Sequence, residues 1–201
     1  MRGVSATILP TSATVFNTAV ALSSQLNINS DTMTSPLPII TLSTSTSSLT
    51  LTPFGAHITS FVVNTQERLW MSSLSAMDGT APIRGGVPIA FPQFADSGPL
   101  KLHGFARTST WAVSSQSTAS ISLTLSEDEE TLSIWPHRFT LIYTVTLGAS
   151  NLNLSLRCLN TGTTQLQFSA CLHTYFRFDG TENVEIKGLE GCVYVDKCGS
   201  R

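Results

Sequence analysis

From Leu37 onward, apolar and polar residues alternate in short runs, and each run is closed by Gly, Pro, Asn or Asp. A period of two is the pattern of half-buried strands, and clustered turn formers mark where they end. The pattern predicts strands over residues 39–42, 49–52, 57–63, 68–71, 120–125, 139–147, 152–160, 165–172, 184–186 and 193–195. Helical periodicity is nearly absent, and no strand–helix–strand unit is visible. Many strands joined by short turns predict an all-β fold, an antiparallel β-sandwich or barrel.

Two of these strands also predict which face meets the core. Leu152, Leu154, Leu156 and Cys158 share one parity, and Asn153, Ser155 and Arg157 the other. In the next run Leu166, Phe168, Ala170 and Leu172 are expected inside, with Gln165, Gln167, Ser169, Cys171 and His173 on the polar face. Residues 80–98 break the rhythm. Pro82, Pro88 and Pro92 with Gly85, Gly86 and Gly98 forbid a long ladder, so a structured loop is expected there, of a length that is often functional.

Composition narrows the partners. Of the 201 residues 41% are apolar, enough for a core, while only 12% are charged and the net charge is −2. No basic field suits nucleic acid, and no apolar run is long enough for a membrane-spanning helix. Cys158, Cys171, Cys192 and Cys198 lack paired CxxC spacing, so reduced structural thiols and a cytoplasmic location are expected. Residues 1–36 are Ser/Thr-rich, carry one Arg and have no acid before Asp31. They read as a disordered leader, with a transit peptide as the alternative. Residues 37–201 then form the folded domain.

The chemistry-bearing residues lie in two stretches, Arg84-Gly85-Gly86 through His103-Gly104-Phe105-Ala106-Arg107, and His173-Thr174-Tyr175. Glycine lets backbone approach a ligand closely, arginine offers a donor fork for phosphate or carboxylate, and histidine moves protons near neutral pH. An extended backbone at 103–107 would put His103, Phe105 and Arg107 on one side. Each has an ordinary alternative: an edge strand with a solvated arginine, a turn with an exposed Arg84, a structural His173. His57 and His137 suit packed or surface roles. Glu127-Asp128-Glu129-Glu130 reads as a solvated turn, and Trp70, Trp111 and Trp135 as core residues able, if exposed, to stack on a sugar.

The motifs IRGGVPIAFPQF, HGFART followed by Trp111, WPHRF, LHTYF and GLEGCVYVDK occur in that order from about Leu37 to Lys197. Together they resemble the glucose-6-phosphate 1-epimerase (hexose-6-phosphate mutarotase) branch of the aldose 1-epimerase superfamily. The resemblance implies a sandwich of the galactose mutarotase type, interconversion of the anomers of a D-hexose 6-phosphate, and no metal or organic cofactor. It assigns His173 as general acid, Arg84 and Arg107 as substrate-binding arginines, Asp196 as a sugar ligand and His103 as a neighbour of the substrate. It also places the family's general base, a glutamate, beyond the YVDK motif, and Glu182, Glu185 and Glu190 do not match its context. No base is therefore assigned; the sandwich is expected to be incomplete at its C-terminal end, and the 201 residues to have little activity. A sugar-phosphate binding module without catalysis is the second expectation.

Overall fold

A computed structural model describes residues 36–179 and Gly191. Ten strands in chain order build it: β1 (Ile40–Ser43), β2 (Ser47–Thr52), β3 (His57–Val63), β4 (Gln66–Glu67), β5 (Ile89–Ala90), β6 (Ala112–Gln116), β7 (Ser120–Ser126), β8 (Phe139–Leu147), β9 (Leu152–Asn160) and β10 (Cys171–Leu172). They form two antiparallel four-stranded sheets, β1-β2-β3-β4 and β6-β7-β8-β9, and a small ladder in which β10 pairs with β5. The class is all-β, as the alternation predicts.

One core joins the two large sheets. Leu42, Leu49, Leu51, Phe61 and Val63 enter it from the first, and Ile121, Leu123, Leu141, Tyr143, Val145 and Leu152 from the second. In β7 and β8 every other residue points inward, while hydroxyls pair across the outer face: Ser122 with Thr144 at 3.0 Å and Ser126 with Thr140 at 3.1 Å. The predicted parity of β9 holds, with Leu154, Leu156 and Cys158 packed against the core. In β3 the register shifts between Thr50–Ser60 and Leu51–Ile58, leaving Thr59 as the extra residue of a bulge. The bulge lets both Ile58 and Phe61 face the core, and His57 points the other way, toward the glycine pair.

Several expectations need correction. The run at 68–71 is not a regular strand; its pairing is reduced to single bridges, Leu69 with Phe176 and Met71 with Gly85. Glu67 is the reason, because its carboxylate accepts the backbone N–H groups of Phe61, Arg68 and Leu69 as well as the Ser60 hydroxyl. Of 165–172 only β10 is strand: the Ser169 N–H is drawn to the Pro92 carbonyl and its hydroxyl accepts from the Phe94 N–H. Leu166 and Leu172 still pack on the core, while Phe168 is partly exposed beside Phe91. The acidic cluster starts a helix, α1 (Glu129–Ile134), because Asp128 and Thr131 form a capping box. Strand β6 is exposed along its whole length and shows no alternation to detect. The Pro/Gly stretch is a loop that also carries core residues, Val87, Ile89, Ala90 and Phe91 among them. The strands expected at 184–186 and 193–195, and nearly all of the leader, lie outside the described residues.

Candidate active site

Residues 173–177 run between two segments that hold them in place. The His173 N–H donates to the Pro88 carbonyl, the Tyr175 N–H to Gly86 and the Arg177 N–H to Arg68, each at 2.9 Å, and the Trp70 N–H donates to the Tyr175 carbonyl, also at 2.9 Å. The glycine pair makes this lattice possible. A Cβ on Gly86 would stand 2.1 Å from the Ile58 carbonyl oxygen, and one on Gly85 2.4 Å from that of Trp70. Backbone thus packs on backbone, and His173 is presented at the rim.

His103 reaches the same place by a turn. Its φ of 65° and the 66° of Gly104 are left-handed, so the stretch is not extended, and Phe105 is buried. This corrects the expected single-sided strand, and Arg107 follows in a 3-10 turn, Ala106–Thr108. Sequence-local geometry fails here because Gly104 is pressed against the carbonyl of Phe91, which accepts the N–H groups of Phe105 and Ala106. His103 and Arg107 nevertheless meet in one cleft, by a different route.

Pro88, Ala90, His103, Arg107, His173 and Tyr175 line that cleft. Its space, about 20 Å³, is room for a water. The His103 ring meets that of His173 edge-on at 5.6 Å between centroids, and the His173 ring stacks on Tyr175 at 4.8 Å and 21°. The Nδ1 of His103 accepts the Ala95 N–H at 3.1 Å, which in the neutral ring leaves the proton on Nε2.

Arg107 is the local positive charge. One Nη donates to the Leu102 carbonyl at 2.8 Å, while its Nε is buried with no hydrogen-bond partner. Burial lowers the guanidinium pKa, yet arginine remains charged at any physiological pH. The guanidinium lines the cleft half-buried, and an arginine fork suits an oxyanion. Among the described residues lining the cleft there is no carboxylate. Nor do three His, Cys, Asp or Glu side chains of the described residues gather closely enough to hold a metal ion.

The structure therefore brings His103, Arg107 and His173 together. Arg84 is exposed and does not line the cleft; its N–H donates to the Ser75 hydroxyl at 2.9 Å and its carbonyl accepts the Ser72 N–H at 3.0 Å. Asp196 lies outside the described residues. Tyr175 was not singled out by sequence, although a period of two from His173 points to it. His57 is buried, Trp111 and Trp135 belong to the core, and Trp70 is 47% exposed and lies 6.0 Å from Tyr175. His137 packs on Trp135 at 4.6 Å. Cys158 and Cys171 are free, half-buried thiols, the former pushed up to about 11 by burial. No helix of the described residues is long and apolar enough to cross a membrane.

A model of the aldose 1-epimerase family matches residues 38–198. A protein of Cenchrus ciliaris called "putative glucose-6-phosphate 1-epimerase" is 37% identical over 156 residues, 71% of this chain and 47% of that protein. One of the same description from Escherichia coli is 33% identical over 150 residues, 71% of this chain and 49% of its own length. Among solved structures, a protein from Synechocystis superposes with a TM-score of 0.65 at 31% identity, over 74% of this chain and 58% of that one. A galactose mutarotase-like protein from Lactobacillus casei gives 0.59 at 25%, over 66% and 48%. The chain spans about half the length of the curated relatives it matches.

Proposed function

Because the chain belongs to the aldose 1-epimerase family, we propose that its cleft serves the interconversion of the α and β anomers of a D-hexose 6-phosphate. The observation that carries this reading is the meeting of Arg107 and His173 on one cleft. An arginine fork is matched to phosphate, and a histidine beside it can act on a ring oxygen.

In this mechanism Arg107 holds the 6-phosphate, with Arg84 as an outer contact drawn from the resemblance, and Asp196 is a sugar ligand from the same source. His173, protonated, gives its proton to the ring oxygen as a carboxylate takes the proton of the C1 hydroxyl. The C1–ring oxygen bond breaks, an aldehyde forms at C1, and the C1–C2 bond rotates. Closure with the protons returned gives the other anomer. His103, its Nδ1 accepting the Ala95 N–H, is a neighbour of the substrate by the same resemblance. Each positioned proton transfer contributes roughly 10²- to 10⁴-fold.

A second reading, a sugar-phosphate binding module, is favoured by the lack of a carboxylate among the described cleft residues. Exchange NMR on the anomers of glucose 6-phosphate separates the two. Exchange above the spontaneous rate that His173→Asn abolishes supports the epimerase. Saturable binding with no added exchange supports the module, and absence of binding refutes both.

A further inference from the structure

His57 is 1% exposed, and its Nε2 lies 2.9 Å from the Gly85 carbonyl oxygen. A carbonyl only accepts, so Nε2 carries the proton and Nδ1 is left as a lone pair; Nδ1 is buried without a partner. An imidazole with one idle nitrogen in the interior is an expensive way to fill space, since an apolar residue would avoid the desolvation. The idle nitrogen points attention to the one bond that the ring does make.

That bond holds the glycine pair. The next carbonyl, Gly86, accepts the Tyr175 N–H, and the Pro88 carbonyl accepts that of His173, both at 2.9 Å. A Cβ on Gly86 would be 2.9 Å from His57 Nε2, so the imidazole and the glycine backbone are in direct contact. Gly86 holds the Tyr175 backbone, and the Tyr175 ring is in turn the surface on which His173 stacks. The Thr59 bulge supplies the remaining condition, because it lets Phe61 join Ile58 in the core while His57 faces the loop.

We propose that His57 is a positioning residue that, by pinning Gly85, sets the Tyr175 platform and thereby the orientation of His173. The proposal rests on the reading of His173 as a functional group of the cleft. It gives the two histidines separate duties: His57 stays neutral and donates one fixed hydrogen bond, and His173 faces the ligand. A misplacement of about 1 Å at such a site is enough for a large functional loss.

The test uses the 201-residue chain with His57→Gln, whose amide N–H can replace Nε2–H, and His57→Leu, which cannot donate. Imidazole NMR signals of His173 and the dissociation constant of glucose 6-phosphate are measured for both. His57→Leu is expected to shift or broaden the His173 signals and to weaken binding about tenfold or more. His57→Gln is expected to keep the His173 signals and to restore affinity to within about threefold of the unchanged chain. A folded His57→Leu chain with unchanged His173 signals overturns the proposal. So does a folded His57→Gln chain that perturbs His173 as strongly as leucine does, and this arm decides alone if the leucine variant does not fold. If no variant, nor the unchanged chain, binds glucose 6-phosphate, the functional reading fails, while the His173 signals still decide the role of His57.

Discussion

The imidazole of His173 lies nearly parallel to the ring of Tyr175, 4.8 Å between centroids and 21° between planes. Two residues apart, they have their N–H groups tied to Pro88 and Gly86. The stack restricts the imidazole, which lines one cleft together with Arg107.

Arg107→Ala removes the half-buried donor with the unpartnered Nε. A charge-assisted hydrogen bond contributes about 1.5–3 kcal/mol, so affinity for glucose 6-phosphate is expected to fall roughly ten- to a hundredfold. Glucose, lacking the phosphate, should be affected little. Calorimetric titration with both sugars checks this, and equal losses would remove the phosphate from Arg107.

Stability should decline from pH 6.5 toward pH 4 because of His57. Burial holds its pKa at about 4, below the ordinary 6.5. Between these values the unfolded chain binds a proton that the folded chain refuses, so acid favours unfolding. The drop of about 2.5 units corresponds to about 3 kcal/mol, present above pH 6.5 and lost as the pH falls to 4. Urea unfolding at several pH values, compared with His57→Gln, isolates this contribution. Parallel curves for the two chains would contradict it.

Tyr143→Phe should leave the chain at least as stable. The Tyr143 hydroxyl is fully buried in β8 without a hydrogen-bond partner, and burial pushes its pKa up. An unsatisfied buried hydroxyl costs about 1–3 kcal/mol. A urea midpoint that drops in the variant would reveal a partner for the phenol.

Gly104→Ala should unfold the cleft. The added Cβ would stand 2.1 Å from the Phe91 carbonyl oxygen at a φ of 66°. A loss of roughly 2 kcal/mol or more is expected, seen as a lower urea midpoint, and an unchanged midpoint would mean that the turn at His103 relaxes freely.

Strands with one wet and one dry face were legible in the sequence. The bounds predicted for β3, β8 and β9 coincide with those observed; in β8 inward Phe139, Leu141 and Tyr143 alternate with outward Thr140, Ile142 and Thr144. Strand β6 was invisible because no residue in it is buried, and α1 because its cap was hidden in an acidic run. At 165–172 side-chain periodicity was right for Leu166 and Leu172, but the backbone partners of Ser169 are Pro92 and Phe94, distant in sequence. The site divides in the same way. Glycines and cations announced His103, Arg107 and His173, whereas the role of Tyr175 and the His57–Gly85 bond depend on contacts made only by the fold.

The central claim is that His103, Arg107 and His173 form one site for a phosphorylated hexose. Imidazole NMR signals of the 201-residue chain, followed during titration with glucose 6-phosphate and in parallel with glucose, test it most directly. The account predicts that His103 and His173 shift together and saturate with the phosphorylated sugar, that glucose moves them far less, and that buried His57 stays still. If the two cleft histidines respond separately, or equally to both sugars, they do not share a phosphosugar site.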